Sequence, residues 1–101
     1  MDPIEILLKE VQGYLNKKHL LLAAGTLEQY ANSRPKETIG ESEKNMCKKV
    51  AYELFMSRNY ESAEKLYKTF GLDKECLKIM IIESLREQKL KEVNGGSVHS
   101  Q

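Results

Sequence analysis

The side chains best suited to metal binding or nucleophilic catalysis are two cysteines, Cys47 and Cys76, and two histidines, His19 and His99. A zinc site needs about four such ligands, with close pairs that fix the tetrahedral geometry, and the sequence has no C-x-x-C pair. A cysteine nucleophile needs an orienting base, and neither histidine stands in a catalytic motif. We therefore predict no catalytic residue, no metal and no cofactor, and we interpret both cysteines as reduced, buried thiols.

A second group with possible chemistry is a set of lysines on two neighbouring predicted helices. Its members are Lys44, Lys48, Lys49, Lys65 and Lys68. Such a patch could bind nucleic acid, but glutamates are interleaved with the lysines, and exposed aromatic side chains for base stacking are absent from the predicted surface. An ordinary solvated face is the favoured interpretation, and a nucleic-acid site on these lysines is the alternative.

The length and composition limit the class of protein that contains these residues. The chain has 101 residues, 16 Lys and Arg against 15 Asp and Glu, and a formal net charge of +1, which is typical of one small, near-neutral domain. The longest apolar run, over residues 20–24, is far shorter than the ~20 residues that span a bilayer. The first residues do not resemble a secretory signal. We expect a cytoplasmic protein with no membrane segment and no evident small-molecule substrate.

Four apolar stripes with helical spacing predict two helical hairpins. Asp2 as N-cap and Pro3 at the first helical position begin a helix over residues 3–16, and a short turn leads to a second helix over 18–31. Residues 32–40 have loop chemistry. The third stripe begins after Ser42 and consists of Cys47, Val50, Ala51 and Leu54. The fourth, after a break at 58–59, consists of Ala63, Leu66, Tyr67 and Phe70.

A fifth helix follows Gly71, which can adopt the left-handed conformation that ends many helices. Asp73 is the predicted N-cap, and Leu72 is expected to pack on Leu77 as a hydrophobic staple. The helix should run over residues 74–92. We predict one all-α domain over residues 1–93, made of five antiparallel helices in two hairpins plus a closing helix, and a disordered tail over 94–101.

The two hairpins resemble each other when the chain is shifted by forty residues. The shift places Tyr14 on Leu54 and Ala23 on Ala63, and the period falls in the range of helical repeats, about 34–47 residues. Over residues 44–77 the order of small and large residues resembles a tetratricopeptide repeat: Ala51 and Ala63 are small, and Leu54, Tyr60 and Tyr67 are large.

The resemblance implies that the two alanines let paired helices approach while the large residues fill the space between them. It also implies a protein-binding module rather than an enzyme, although no binding residue of the family carries over to this chain. A generic antiparallel helical bundle is the alternative fold.

The fifth helix is apolar on two sides. One stripe, which consists of Leu77, Met80, Ile81, Ser84 and Leu85, is predicted to pack over the second hairpin. The other consists of Ile79, Ile82, Leu90 and Val93. Either the first hairpin covers this second stripe, or the stripe binds another protein or a second copy of the chain. The sequence thus predicts an interaction module that binds a protein partner or itself through an apolar helix face.

Overall fold

A computed structural model describes the backbone of residues 2–99 and the side chains of residues 2–90. Within these limits the chain is all-α, as predicted, and contains no strand. The helices are α1 (Pro3–Asn16), α2 (Leu20–Asn32), α3 (Glu41–Met56), α4 (Tyr60–Thr69) and α5 (Asp73–His99). A single 3-10 turn, Lys36–Thr38, lies in the connection between α2 and α3.

The first helix begins as its capping residues predict. The Asp2 carboxylate accepts a hydrogen bond from the Ile4 backbone N–H at 2.9 Å, and Pro3 occupies the first helical position. A proline is tolerated there because the N–H that it lacks would have no partner within the helix. The helix ends at Asn16, the residue at which the apolar stripe stops.

Three tight turns, between α1 and α2, α3 and α4, and α4 and α5, share one backbone geometry. Each has a residue with positive φ: Lys18 at 64°, Arg58 at 70° and Gly71 at 70°. In each turn the N–H of the next residue bonds to the carbonyl five positions earlier, at 2.8 Å in all three cases. This pattern is a Schellman helix end. The left-handed conformation predicted for Gly71 is confirmed.

The first two turns are forty residues apart, which is the shift that aligns the hairpins in the sequence. Their hydrogen bonds correspond one to one: His19 donates to the Tyr14 carbonyl and Asn59 to the Leu54 carbonyl. At the start of the following helices, the N–H groups of Ala23 and Ala63 bond to the carbonyls of His19 and Asn59. The two hairpins therefore share turn geometry as well as residue pattern.

The core lies between α1, α2, α3 and α4. Helix α2 is central, since it packs against α1, α3 and α4, and α1 also contacts α3. Most of the buried side chains of α2 are small, namely Ala23, Ala24 and Ala31. Those of α4 include the larger Leu66 and Tyr67. The connection before α3 also takes part, because Ile39, which the sequence placed in an isolated loop position, is buried in the core.

A buried carboxylate fixes the start of α3. Glu43 is 3% exposed, and its Oε2 accepts hydrogen bonds from the Gly40 N–H at 2.8 Å and from the Tyr30 hydroxyl at 3.0 Å. A carboxylate at the third helical position that bonds back to the cap residue is half of a capping box. Glu43 thereby ties the end of α2 to the beginning of α3.

Helix α5 packs mainly against α4 and extends past it. At ~1.5 Å per residue its 27 residues are about 40 Å long, whereas the 10 residues of α4 are about 15 Å long. The molecule is correspondingly elongated, with extents of 63, 28 and 19 Å.

The start and the end of α5 differ from the prediction. The Cys76 N–H bonds to the Leu72 carbonyl, so Leu72 rather than Asp73 precedes the first turn. Leu77 is 59% exposed, so it is not the buried staple partner expected for Leu72. The helix also continues beyond the predicted end at Glu92. The limits of the domain at residue 93 and of the tail over 94–101 stay predictions, because side chains from Lys91 onward lie outside the described residues.

Candidate functional site

Helix α5 presents an uncovered apolar stripe to solvent. Leu77, Ile81 and Leu85 are spaced four residues apart, so they lie on one side of the helix, and they are between 51% and 61% exposed. We call these three residues the outward stripe. Met80, also exposed, lies at its edge.

The prediction that the stripe packs over the second hairpin was wrong for Leu77, Ile81 and Leu85, which are exposed. Met80 and Ser84 of the predicted stripe do border that hairpin, beside Phe55 and Tyr60.

The side of α5 that faces α4 instead carries Cys76, which is buried, and Ile79, which is half-buried against the core. The tight turn at Gly71 explains the difference. The turn places Leu72 against the core. Cys76 and Ile79, four and seven residues further along, lie on the same side of α5 as Leu72 and therefore also face the core. The direction of Leu72 thus sets the rotation of α5.

The four residues predicted to form a partner-binding face do not form one surface. Ile79 packs against the core, whereas Ile82 and Leu90 are exposed. At ~100° per residue Leu90 lies on the same side of the helix as Ile79. It is about 25 Å from the first residue of α5, however, and so lies beyond the end of α4. The Val93 side chain is outside the described residues.

A groove borders the outward stripe where α3, α4 and α5 meet. Phe55, Tyr60 and Met80 line it, and we call these residues the junction groove. The rings of Phe55 and Tyr60 form an edge-to-face pair with centroids 4.9 Å apart. Beside Glu64 and Cys76 the groove deepens into a pocket of about 100 Å³. The residue pattern does not predict this groove, because the tetratricopeptide resemblance places Tyr60 in the interior, whereas Tyr60 is partly exposed.

Three of the five lysines of the nucleic-acid alternative contact polar or acidic side chains. The Lys65 ammonium lies 3.7 Å from the Glu28 carboxylate, and that of Lys68 lies 2.8 Å from Glu64. The Glu64 partner raises the pKa of Lys68. Lys49 donates a hydrogen bond to the Gln12 side chain on α1, at 2.9 Å. The remaining two lysines, Lys44 and Lys48, are half-buried.

These contacts make the lysines part of a mixed surface with carboxylates among them. Use of this surface for nucleic acid stays a prediction, and none of the contacts specifically favours it.

The cysteines lie in the core, as structural thiols would. The Cys47 thiol donates a weak hydrogen bond to the Leu66 carbonyl at 3.7 Å, and burial raises its pKa to about 12. Burial also raises the pKa of Cys76, whose sulfur lies 3.8 Å from that of Met80. A thiol with a raised pKa is a poor nucleophile near neutral pH, since the thiolate is the reactive form.

His19 is the N-cap residue of α2, and its side chain makes no capping hydrogen bond there. Among the side chains of residues 2–90, no three His, Cys, Asp or Glu residues are grouped as metal ligands would be. No helix in the described part of the chain is both long and apolar enough to cross a membrane.

Comparison with protein-family models, with curated proteins and with solved structures finds no match to this chain. The candidate site is therefore defined by its own geometry: a stripe of aliphatic side chains on α5 beside an aromatic groove.

Proposed function

We propose that this protein is a protein–protein interaction module that binds through the outward stripe of α5 and the junction groove beside it. The observation that carries the proposal is the exposure of Leu77, Ile81 and Leu85 on a helix whose other side is already packed. Complete burial of an aliphatic side chain of this size stabilises by roughly 1.5–3 kcal/mol. Since each is about half exposed, a partner that covered all three would gain several kcal/mol.

The arrangement of the helices supports a repeat-like module. In a helical repeat array each unit exposes an apolar face that the neighbouring unit covers. Here α3 packs on both α1 and α2, and α4 packs on α2, which is the contact pattern of two stacked hairpins. Helix α5 follows α4 through a turn of the same geometry as those within the hairpins.

We therefore assign the two hairpins as tetratricopeptide-like units, with α5 in the place of the first helix of a third unit. In such an array a further helix packs against each first helix. No helix in residues 2–99 covers the outward stripe, so a helix from a binding partner is the element that fits there.

A site-specific photo-crosslinker tests the proposal in cells. Placed at position 81 it should give protein adducts of higher mass, because Ile81 lies at the centre of the proposed surface. The matched control is position 82, the adjacent isoleucine, which is also exposed but lies ~100° around the helix. Equal yields at the two positions, or no adduct at position 81, would contradict the proposal.

A further inference from the structure

We propose that the α1–α2 and α3–α4 turns, at one end of the molecule, form a second binding surface, which takes an acidic segment of a partner protein that also carries aliphatic side chains. The surface consists of Lys17, Lys18, Leu21, Leu22 and Arg58, and we call it the turn surface. It shares no residue with the outward stripe or the junction groove, so it is a site beyond the proposed function.

A cavity of about 380 Å³ lies between the two turns. Residues 18–22, at the α1–α2 turn and the start of α2, line it from one side, and Ser57 and Asn59 of the α3–α4 turn line it from the other. None of these lining residues carries a carboxylate. Lys17 borders an adjoining cavity, where the one carboxylate, that of Glu10, accepts a hydrogen bond at 3.1 Å from the tyrosine one turn further along α1. The two hairpins therefore share one open surface at this end.

The cations at this end make no ion pair with the described side chains. Lys17, Lys18 and Arg58 are exposed, and none of them pairs with a carboxylate among the side chains of residues 2–90. The lysines of α4 differ, because Lys65 and Lys68 lie against glutamates. Three positive charges beside a cavity without carboxylates complement a partner that supplies negative charge.

Two of these cations occupy positions that suit glycine better. Lys18 and Arg58 have φ of 64° and 70°, a left-handed conformation that strains any residue with a Cβ. The third turn of the same geometry has Gly71 at this position. Backbone strain of this kind is found most often at binding and catalytic sites, where the side chain has a use that offsets it. Here both strained residues are cations, and both belong to the turns that line one cavity.

Exposed leucines beside the cations define the rest of the partner. Leu21 and Leu22 are 62% and 55% exposed, and both line the cavity. Aliphatic side chains of a partner protein can cover them. A nucleic acid would instead bring phosphates and bases, and unpaired bases bind mainly by stacking on aromatic rings. An acidic peptide with aliphatic side chains therefore fits this surface better than a nucleic acid does.

The projecting part of α5 favours a peptide over a flat lipid surface. Helix α5 runs antiparallel to α4, and its residues Glu83 and Glu87 lie beside Tyr60, the first residue of α4. It then continues to His99, about 18 Å past Glu87 at ~1.5 Å per residue. This segment extends beyond the end that carries the turns, so a bilayer would meet it first. A peptide can reach the turn surface beside it.

Fluorescence anisotropy with a labelled amphipathic peptide built from glutamate and leucine tests the proposal. The full chain should bind this peptide, and added salt should weaken the binding because the charges are exposed. Lys18→Gly combined with Arg58→Gly should weaken it about tenfold, since two exposed charge contacts are lost. Glycine suits both left-handed positions, so thermal denaturation should show this double variant to be no less stable than the wild type.

Three further variants separate this surface from the rest of the molecule. Lys65→Gln combined with Lys68→Gln, the matched control, removes two positive charges from α4 and should leave binding unchanged. Leu21→Ser should weaken binding without unfolding the chain, because that side chain is 62% exposed. Ile81→Glu, in the outward stripe, should bind the peptide like the wild type. The turn surface and the proposed function can therefore fail independently.

Several results would overturn the assignment of an acidic partner. They are a wild-type chain that does not bind the peptide, equal weakening by the two double variants, and equal binding of a peptide with glutamine in place of glutamate. Tighter binding of phosphatidylserine vesicles or of a DNA oligonucleotide than of the peptide would assign the turn surface to a lipid or a nucleic acid instead.

Discussion

Helices α1–α4 and helix α5 contain similar side chains but bury them differently. Six large hydrophobic side chains are exposed across α1–α4, scattered over four helices, and six more are exposed within residues 77–90 of α5 alone. Each of the first four helices contributes several residues to the core, whereas Cys76 is the one buried side chain among the described residues of α5. Apolar content therefore does not distinguish the two regions.

The number of packed neighbours distinguishes them. Helix α2 is covered by α1, α3 and α4, while α5 packs mainly on α4 and extends about 25 Å beyond it. An apolar stripe thus shows that a helix has a surface to bury, and the neighbouring elements decide whether the same chain buries it. Four predictions test this contrast, from the largest expected effect to the smallest.

Equivalent leucine truncations should have very different effects in the two regions. Leu54→Ala removes a side chain that is fully buried in α3, and such truncations destabilise by about 2–5 kcal/mol. Leu85→Ala on α5 should change the free energy of unfolding by less than about 0.5 kcal/mol, because that side chain is 61% exposed. Urea denaturation of both variants measures the difference. A large loss for Leu85→Ala would mean that α5 is buried in the monomer after all.

The buried carboxylate should be the most important polar contact of the first four helices. Glu43→Ala leaves the Tyr30 hydroxyl and the Gly40 N–H without their acceptor, which should cost about 1–3 kcal/mol. Tyr30→Phe removes only one of the two bonds and should cost about 1 kcal/mol. A double-mutant cycle isolates the coupling between them, and strict additivity would show that the bond between these side chains contributes nothing.

Replacement of Gly71, in the turn between α4 and α5, should cost more stability than replacement of the residue with positive φ in either of the other two turns. Gly71→Ala forces a Cβ into φ of 70°, at about 1–2 kcal/mol, and the nearest atom to that Cβ, on the flexible Lys36 side chain, is 3.7 Å away. The penalty is therefore conformational rather than steric. Lys18→Gly and Arg58→Gly at the equivalent positions should be neutral or slightly stabilising in thermal denaturation. A loss in either would show that the lysine or arginine side chain stabilises its turn.

High pH should destabilise the core through its buried acids. Burial raises the pKa of Tyr67 from 10.0 to about 12 and that of Cys47 from 9.0 to about 12. The fold therefore favours the protonated forms, and their contribution is complete below about pH 9 and is lost as pH rises toward 12. Tyr67→Phe should retain about 1 kcal/mol of stability at pH 11 that the wild type loses relative to pH 8. If Tyr67→Phe lost as much stability between pH 8 and pH 11 as the wild type does, ionisation of this phenol would be excluded as a cause of the loss.

Local signals predicted the helices well. Asp2, Pro3 and Gly71 each have a backbone role that follows from their chemistry, and the apolar spacing of α1 predicted its limits. The left-handed conformations of Lys18 and Arg58 were not predictable in this way, because neither residue type favours positive φ.

The candidate site was predicted less well than the helices. The sequence identified α5 as a helix that is apolar on two sides, but it assigned the wrong side to the core. That choice depends on where Leu72 enters the core, which is a tertiary contact. Ile39 and Glu43 were missed for a related reason: an isolated isoleucine in a loop and a glutamate in a helix have no periodic pattern, and their burial arises only when α2 and α3 meet.

Each of the two compared regions contains one buried thiol whose rate of alkylation reports how often that region opens. Cys47, on α3, is fully buried with its thiol against the Leu66 carbonyl of α4, so a thiol reagent reaches it only when those two helices separate. Cys76, on the side of α5 that faces α4, lies beside Met80 and is 6% exposed, so it becomes fully accessible when α5 detaches. The rate at which each cysteine is alkylated in the native state reports the free energy of its own opening event. Mass spectrometry of one timed alkylation of the unmodified sequence would therefore resolve detachment of α5 from opening of the core.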